Sequence, residues 1–266
     1  MPESTASPFL RAAGLTKRFG GFHALRDVDI EVRERAIHAV IGPNGAGKTT
    51  LFNLLSGVMA PDSGEIAFLD RPLGRLRPHR RAALGIARTF QNIRLFGHMT
   101  VLENVMLGEH WRIYPSLWRS FVKASLHRPL GEAREETEMR RRALETLEFV
   151  GLADRRHVMA TDLPYGEQRL LELGRALAME PRLLLLDEPA AGMNIRETED
   201  LDALICKVRD RGVTVVLVEH DMNLVMGISD RITVLNFGDK IAEGSPSEVQ
   251  LNPAVIEAYL GEEGTL

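Results

Sequence analysis

The chain has 266 residues, 44% hydrophobic and 26% charged, with 33 Lys and Arg against 37 Asp and Glu for a formal net charge of −4. That balance suits a globular protein with one large core, or a core and a subdomain, and it disfavours a protein that lives on nucleic acid, whose phosphates are bound mainly by Lys and Arg. A single cysteine, Cys206, excludes an internal disulfide, and no apolar run approaches the ~18 residues that a membrane span requires. The start, MPESTASPFL, lacks the basic and apolar regions of a signal peptide, so the chain is expected in the cytoplasm.

Residues 9–35 form short strands: Val28, Ile30 and Val32 alternate with Asp27, Asp29 and Glu31, the pattern of a half-covered antiparallel sheet. Phe19, in KRFGGF, stands at a glycine-rich tip where an aromatic ring is either core or free to stack on a base. The apolar run Ile37–Ile41 then enters GPNGAGKTT, residues 42–50, which satisfies G-x-x-x-x-G-K-[ST]. Its glycines let successive N–H groups curl around a polyphosphate, and Asn44, Gly45 and Thr50 complete the loop. Lys48 is placed to bridge outer phosphates and the Thr49 hydroxyl to ligate Mg²⁺. Leu51, Leu54 and Leu55 leave at helical spacing, with Gly57 as the cap.

PDSG, residues 61–64, turns the chain into a strand over 65–69. A helix over 78–84 and a strand over 85–90 lead to Gln91. Basic residues cluster at Arg71–Arg81 and at Arg140–Arg142, for which solvated helix faces are the first explanation and a membrane-surface role for the former the second. Thr100 and Glu103 make a capping box for a helix through Val101, Leu102, Val105 and Met106. Trp111, Tyr114, Trp118 and Phe121 follow, as subdomain packing or as a docking face. Residues 132–150 form a charged helix with Glu136/Arg140 and Glu138/Arg142 pairs, each worth about 0.3 kcal/mol. Residues 92–165 are therefore a mostly helical insert in an α/β core. That core resumes with Leu183–Leu186, a helix through Leu201, Leu204, Ile205 and Val208 on whose apolar face Cys206 is core filler, and a strand Val213–Val218. A hairpin around 236–240 and two short helices, opened by Ser245 and Pro246 and by Asn252 and Pro253, close the chain.

Asp187 and Glu188 follow four leucines at the end of a buried strand, where α/β sheets place their ligands and where unpaired carboxylates are costly as mere packing. Asp187 is expected to serve Mg²⁺ through its water shell, and Glu188 to orient and deprotonate an attacking water. His220 ends the next strand and is either a satisfied structural residue or a γ-phosphate ligand. Gln91 ends another and offers an uncharged ligand for metal or water.

The phosphate loop, Gln91 ahead of a helical insert, LPYGEQ at 163–168, LLLLDE at 183–188 and His220 come in the order and spacing of ATP-binding-cassette ATPases, and the chain resembles that family from about residue 9 to its end. The resemblance implies an α/β P-loop NTPase (RecA-like) fold in one cassette: residues 1–91 and 166–266 as a mostly parallel nucleotide-binding core with an antiparallel β subdomain, and 92–165 as a helical subdomain. It implies an ATP-driven dimer in which Leu163, Pro164, Tyr165, Gly166 and Glu167 close on the partner's nucleotide, Gly166 preceding a helix over 167–179 that points its N-terminus at the γ-phosphate.

Finer segments, GPNGAGKTTLFNLLSG, LDEPAAGMN, VEHDMNLVMGISDRI and NPAVIEAYLGEE, look like the ATPase subunit of bacterial high-affinity branched-chain amino-acid importers; amide, urea and lipopolysaccharide transporters share part of the pattern. The implied partners are two membrane permeases, a second and non-identical ATPase (a homodimer being the alternative) and, indirectly, a periplasmic binding protein, with the chain peripheral on the cytoplasmic face of the inner membrane. The chain departs from the general pattern at Pro164, where the signature serine is lost, and at Asn194, which replaces an aspartate. A soluble cassette in translation or DNA repair is the reading from another class, against which stand the single cassette and the short insert. A GTPase or small-molecule kinase would need an N-K-x-D reader or a substrate lid, and neither is present.

Overall fold

A computed structural model describes residues 8–113 and 129–263. The expected aromatic cluster, Trp111, Tyr114, Trp118 and Phe121, lies outside the side chains it describes.

Strands β1 (Leu10–Phe19), β2 (Phe22–Val32), β4 (Ser63–Phe68) and β5 (Arg71–Pro72) form an antiparallel sheet in the order β2-β1-β4-β5. The alternation in β2 has the expected consequence: Val28, Ile30 and Val32 are buried while Asp27, Asp29 and Glu31 face out. The second sheet runs β10-β9-β3-β8-β7-β6, comprising β3 (Ile37–Ile41), β6 (Ile86–Arg88), β7 (Leu183–Asp187), β8 (Thr214–Val218), β9 (Arg231–Asn236) and β10 (Asp239–Gly244). All its pairings are parallel except the β9–β10 hairpin. Every residue of β3, β7 and β8 is buried, which is why these strands are apolar runs rather than alternating ones. β6 is shorter than its apolar pattern suggests: it leaves the ladder after Arg88, so Phe90 and Gln91 lie beyond it.

Helix α1 (Lys48–Ser56) packs between the sheets through Leu51, Phe52, Leu54 and Leu55, in a core shared with Phe9, Leu15, Ile30, Phe68 and Leu185. The other face of the parallel sheet is covered by α5 (Tyr165–Leu177), α6 (Ile195–Asp210) and α7 (Met222–Ile228), with α3 (Val101–Ile113) and α4 (Pro129–Phe149) packed on α5. The close approach of α3 to α5 depends on Gly108, where a Cβ would stand 2.3 Å from the Arg175 carbonyl oxygen. The capping box forms: Thr100 N–H donates to Glu103 Oε2 at 2.7 Å, and Glu103 N–H to Thr100 Oγ1 at 3.2 Å. Glu138 pairs with Arg142 at 2.9 Å and also with Arg141. A short α2 (Pro78–Ala82) and the terminal α8 (Pro246–Gln250) and α9 (Pro253–Glu263) complete the fold.

The basic stretch at 71–81 is not uniformly a solvated face. Arg81 is 1% exposed and donates to the carbonyls of Leu54, Leu55, Leu76 and Gly74. It thereby adds to the Gly57 N–H in capping the last carbonyls of α1, those of Leu54 and Leu55, and burial lowers its pKa to about 10.

His38, in the middle of β3, is 1% exposed and its Nε2 lies 2.8 Å from Thr233 Oγ1. Burial pushes its pKa down to about 4, opposed in part by Glu243 and reinforced by Arg231 and Lys240. Because the folded pKa lies below the unfolded one, the unfolded chain binds more protons between the two values. The stability held by neutral His38 is complete above about pH 6.5 and is lost as the pH falls towards about 4. Between about pH 7.5 and about pH 5 this group should cost about 2 kcal/mol of unfolding free energy. Urea unfolding at both values checks it: His38→Gln, which can still bond Thr233, should reduce the acid loss by that amount.

Candidate active site

Four loops open at the C-terminal ends of β3, β6, β7 and β8, which neighbour one another in the order β3-β8-β7-β6. The first is the phosphate loop. Gly42 has φ 147° and Gly47 φ 105°; a Cβ would lie 2.0 Å from the Leu235 carbonyl oxygen at the former and 2.5 Å from that of Ala24 at the latter, so only glycine fits either place. Gly47 caps α1, whose free N–H groups begin at Lys48 and Thr49. Lys48 is 6% exposed, and its Nζ donates to the carbonyls of Gly42 (2.5 Å) and Pro43 (2.8 Å). Asn44, Gly45 and Thr49 are exposed and Thr50 half-buried, so this face of the loop is open to a ligand.

Gln91, Glu188 and His220, far apart in sequence, meet. Gln91 Nε2 donates to Glu188 Oε2 at 2.9 Å, and His220 Nε2 lies 3.1 Å from Glu188 Oε1. Glu188 follows β7 in the left-handed region, φ 49°, with its N–H bonded to the Val218 carbonyl at 2.9 Å; this turn swings its carboxylate out of the strand to where His220 and Gln91 reach it. Its side chain keeps 18% exposure, enough to reach a water.

Asp187, one residue earlier, is buried and paired with Arg88 at 2.7 Å. Arg88 also donates to Asn53 Oδ1 and Ser56 Oγ, both at 2.8 Å, and so ties the Asp187 carboxylate to α1. Sequence reasoning missed Arg88; the signal was a charged residue within the segment 85–90 expected to be a strand. It also gave no role to Glu219, which is 4% exposed and accepts from the N–H groups of Ala190 (2.8 Å) and His220 (2.9 Å). Burial raises the pKa of Glu219 against those backbone hydrogen bonds. Glu219 thus ties the turn after β7 to the turn that carries His220. Asp221 caps α7 by accepting from Asn223 N–H at 2.9 Å.

The signature segment differs from expectation in one respect. α5 begins at Tyr165 with Pro164 as its N-cap, so Gly166 lies inside the first turn and not ahead of it, and Glu167 is the third helical residue. Proline suits that boundary because it has no N–H to leave unpaired. Leu163 is buried, Pro164 and Tyr165 are exposed, and Glu167 lies 3.3 Å from Arg155. The segment rests on the turn leading into α6: a Cβ on Gly166 would stand 2.8 Å from Glu197 Oε1, and Glu197 and Asn194 form that helix's capping box. Asn194 therefore has a structural task here whatever an aspartate would have done.

Phe19 ends β1 on the antiparallel sheet, 47% exposed, with Lys17 Nζ 5.8 Å from its ring centroid. Among the described residues no group of three or more His, Cys, Asp or Glu forms a cage for a metal ion. Of the expected Mg²⁺ donors, Thr49 is exposed, Gln91 is bonded to Glu188 and Asp187 is paired with Arg88. At Phe90, the residue before Gln91, lies a largely apolar groove of about 600 Å³ whose walls also include Val58, Phe96, Leu107 and Met179. No described helix is long and apolar enough to cross a membrane.

Residues 25–191 match the ABC transporter family, and residues 240–265 match a segment described as branched-chain amino acid ATP-binding cassette transporter. The chain is 46% identical over 258 residues to the high-affinity branched-chain amino acid transport ATP-binding protein LivG of Salmonella typhimurium, covering 97% of this chain and 99% of that protein. It is 45% identical to BraF of Pseudomonas aeruginosa, of the same description, over 96% and 98% of the two chains. Among solved structures, the ADP conformation of MJ1267, an ATP-binding cassette of an ABC transporter, superposes with a TM-score of 0.82 at 32% identity, covering 96% of this chain and all of the other. A dimeric post-hydrolysis state of the cassette MJ0796 bound to ADP and Pi superposes with a TM-score of 0.73 at 27% identity over 89% and 98% of the chains.

Proposed function

The chain belongs to the ABC transporter family as an ATP-binding cassette ATPase, and we propose that it powers an importer of branched-chain amino acids. The observation that carries the substrate class is the likeness to LivG and BraF over nearly the whole of both chains, including the segment at 240–265. Hydrolysis is supported by the Glu188 carboxylate, held between Gln91 and His220 on the sheet edge that also bears the phosphate loop.

In this reading the N–H groups of the Gly42–Gly47 loop and the start of α1 hold the phosphates, Lys48 bridges the outer ones and Phe19 stacks on the base. Thr49, Gln91 and, through a water shell, Asp187 would hold Mg²⁺, which would neutralise phosphate charge. Arg88 keeps Asp187 aimed at the site. Glu188 orients the attacking water and takes its proton, while His220 holds Glu188 and reaches towards the γ-phosphate. The start of α5 meets the nucleotide of a second ATPase subunit; pairing of two cassettes is supported by the dimeric MJ0796 cassette. Pro164 offers neither hydroxyl nor N–H to that nucleotide, so the site served by this chain's signature is the slower of two unequal sites in a heterodimer.

The groove at Phe90 is where a permease segment docks, because its apolar walls place a membrane partner against the residue that precedes Gln91, whose side chain touches Glu188. The helical unit that includes α3 and α4 follows that contact. The chain is peripheral, on the cytoplasmic face of the inner membrane, and a periplasmic binding protein delivers the amino acid to the permeases. Co-expression with candidate permeases tests the reading. The chain should co-purify in the membrane fraction, and proteoliposomes holding binding protein and internal ATP should accumulate labelled leucine. An ATP-driven complex that accumulates urea or an amide but not leucine would overturn the substrate class. A chain that hydrolyses ATP yet never joins membrane subunits would overturn the transport reading.

A further inference from the structure

Tyr165, the first residue of α5, and Arg169 stand four apart, a spacing that places both on one helix face. Arg169 is 6% exposed; its Nη1 donates to the Phe90 carbonyl at 2.9 Å and its Nη2 to the Gln91 carbonyl at 2.6 Å. The same Nη2 donates to the Tyr165 hydroxyl at 2.8 Å. On the far side the Tyr165 ring lies against Gly192, in the turn after Glu188, where φ is +80° and a Cβ would stand 2.8 Å from Tyr165 Cε1. Glu172 continues the contact, accepting from Arg94 N–H at 3.3 Å and lying 3.7 Å from Arg169. One line of contacts therefore runs from the turn after β7, through the start of α5, to the peptide groups of Phe90 and Gln91. The Gln91 side chain, at its end, holds Glu188.

We propose that Tyr165 and Arg169 are positioning residues for Gln91: the place of the α5 N-terminus fixes, through Arg169 and the two carbonyls, the place of the Gln91 amide on Glu188. A guanidinium is a rigid fork, so it transmits a displacement of the helix to both carbonyls together, and charge-assisted hydrogen bonds hold them at short range. The inference rests on the proposed function, in which the start of α5 meets the partner's nucleotide. It adds a path by which engagement at one composite site alters the carboxylate of this chain's own site.

Tyr165→Phe keeps the ring on Gly192 and removes only the hydroxyl. In the isolated chain, hydrogen exchange of the amides of residues 90–94 should quicken several-fold while the rest of the chain is unchanged. In the assembled transporter kcat should fall roughly 2- to 10-fold at constant KM for ATP. Arg169→Met should exceed both effects, and Arg169→Lys, which keeps a cation able to reach one carbonyl, should recover part of them. Unchanged exchange at 90–94 in the Tyr165→Phe chain would overturn the clamp. Faster exchange with unaltered kcat would overturn its part in turnover. The exchange arm needs no partner, so a wild-type complex that fails to form counts against the transport reading alone.

Discussion

Glu188→Gln should abolish steady-state hydrolysis, by roughly 100-fold or more, while leaving ATP binding close to wild type. The substitution keeps shape and volume, so the turn at φ 49° and its bond to Val218 should persist. The base is lost, since an amide cannot take a proton from water at neutral pH. The geometry adds a second loss. A carboxylate accepts from Gln91 Nε2 on one oxygen and faces His220 Nε2 on the other, whereas an amide has a single oxygen, and its NH₂ group would meet the Gln91 NH₂ or the imidazole. One of the two contacts must open or His220 must change tautomer. With binding intact and cleavage stopped, ATP should hold the partnered form closed, visible as an ATP-dependent dimer in gel filtration and as undegraded nucleotide after rapid desalting. His220→Ala is the companion measurement. A Glu188→Gln protein with wild-type turnover, beside an inactive His220→Ala protein, would transfer the role of base to the histidine.

The parts of this site that were legible in the sequence are those in which one segment states its own chemistry. The phosphate loop is specified by its glycines, of which Gly42 and Gly47 are forced by a close backbone approach, and the buried strands by runs of apolar residues between turns. Gln91, Glu188 and His220 could each be placed at a strand end, but their meeting depends on the strand order β8-β7-β6, which no local pattern encodes. The residues that stayed hidden do their work through partners far along the chain. Arg88 pairs with Asp187 across 99 residues, Arg169 with the Gln91 carbonyl across 78, and Arg81 with the end of α1 across 26 and 27. An isolated arginine in a sequence looks like solvated charge, and burial with carbonyl or carboxylate acceptors is a property only of the folded chain. α5 starts two residues before its expected start for a local reason: Gly166, which reads as a boundary in the sequence, lies in the first turn, and Pro164 is the actual cap.

Lys48→Ala should have an effect of similar size on hydrolysis but, unlike Glu188→Gln, should also weaken binding. Lys48 is the first residue of α1, buried to 6% exposure, with its Nζ on the carbonyls of Gly42 and Pro43. In the proposed function its ammonium makes a charge-assisted contact to a polyphosphate at the mouth of the same loop. A hydrogen bond from a charged donor is worth about 1.5 to 3 kcal/mol, so its removal should weaken ATP binding by roughly 10- to 100-fold. Charge on the transferring phosphoryl group asks more of a fixed cation than the ground state does, and kcat should fall by a further 100-fold or so. Folding should survive, because alanine favours helix and α1 is anchored by Leu51, Phe52, Leu54 and Leu55. An unfolding midpoint near wild type would attribute the loss to the phosphate contact. Lys48→Arg sharpens the test: it restores the charge, but a planar fork cannot replace a compact ammonium beneath two converging carbonyls, so hydrolysis should stay low. Titration with a fluorescent ATP analogue and a phosphate-release assay on the three proteins would decide it, and an alanine variant that binds ATP within about twofold of wild type and still turns over would remove Lys48 from the site.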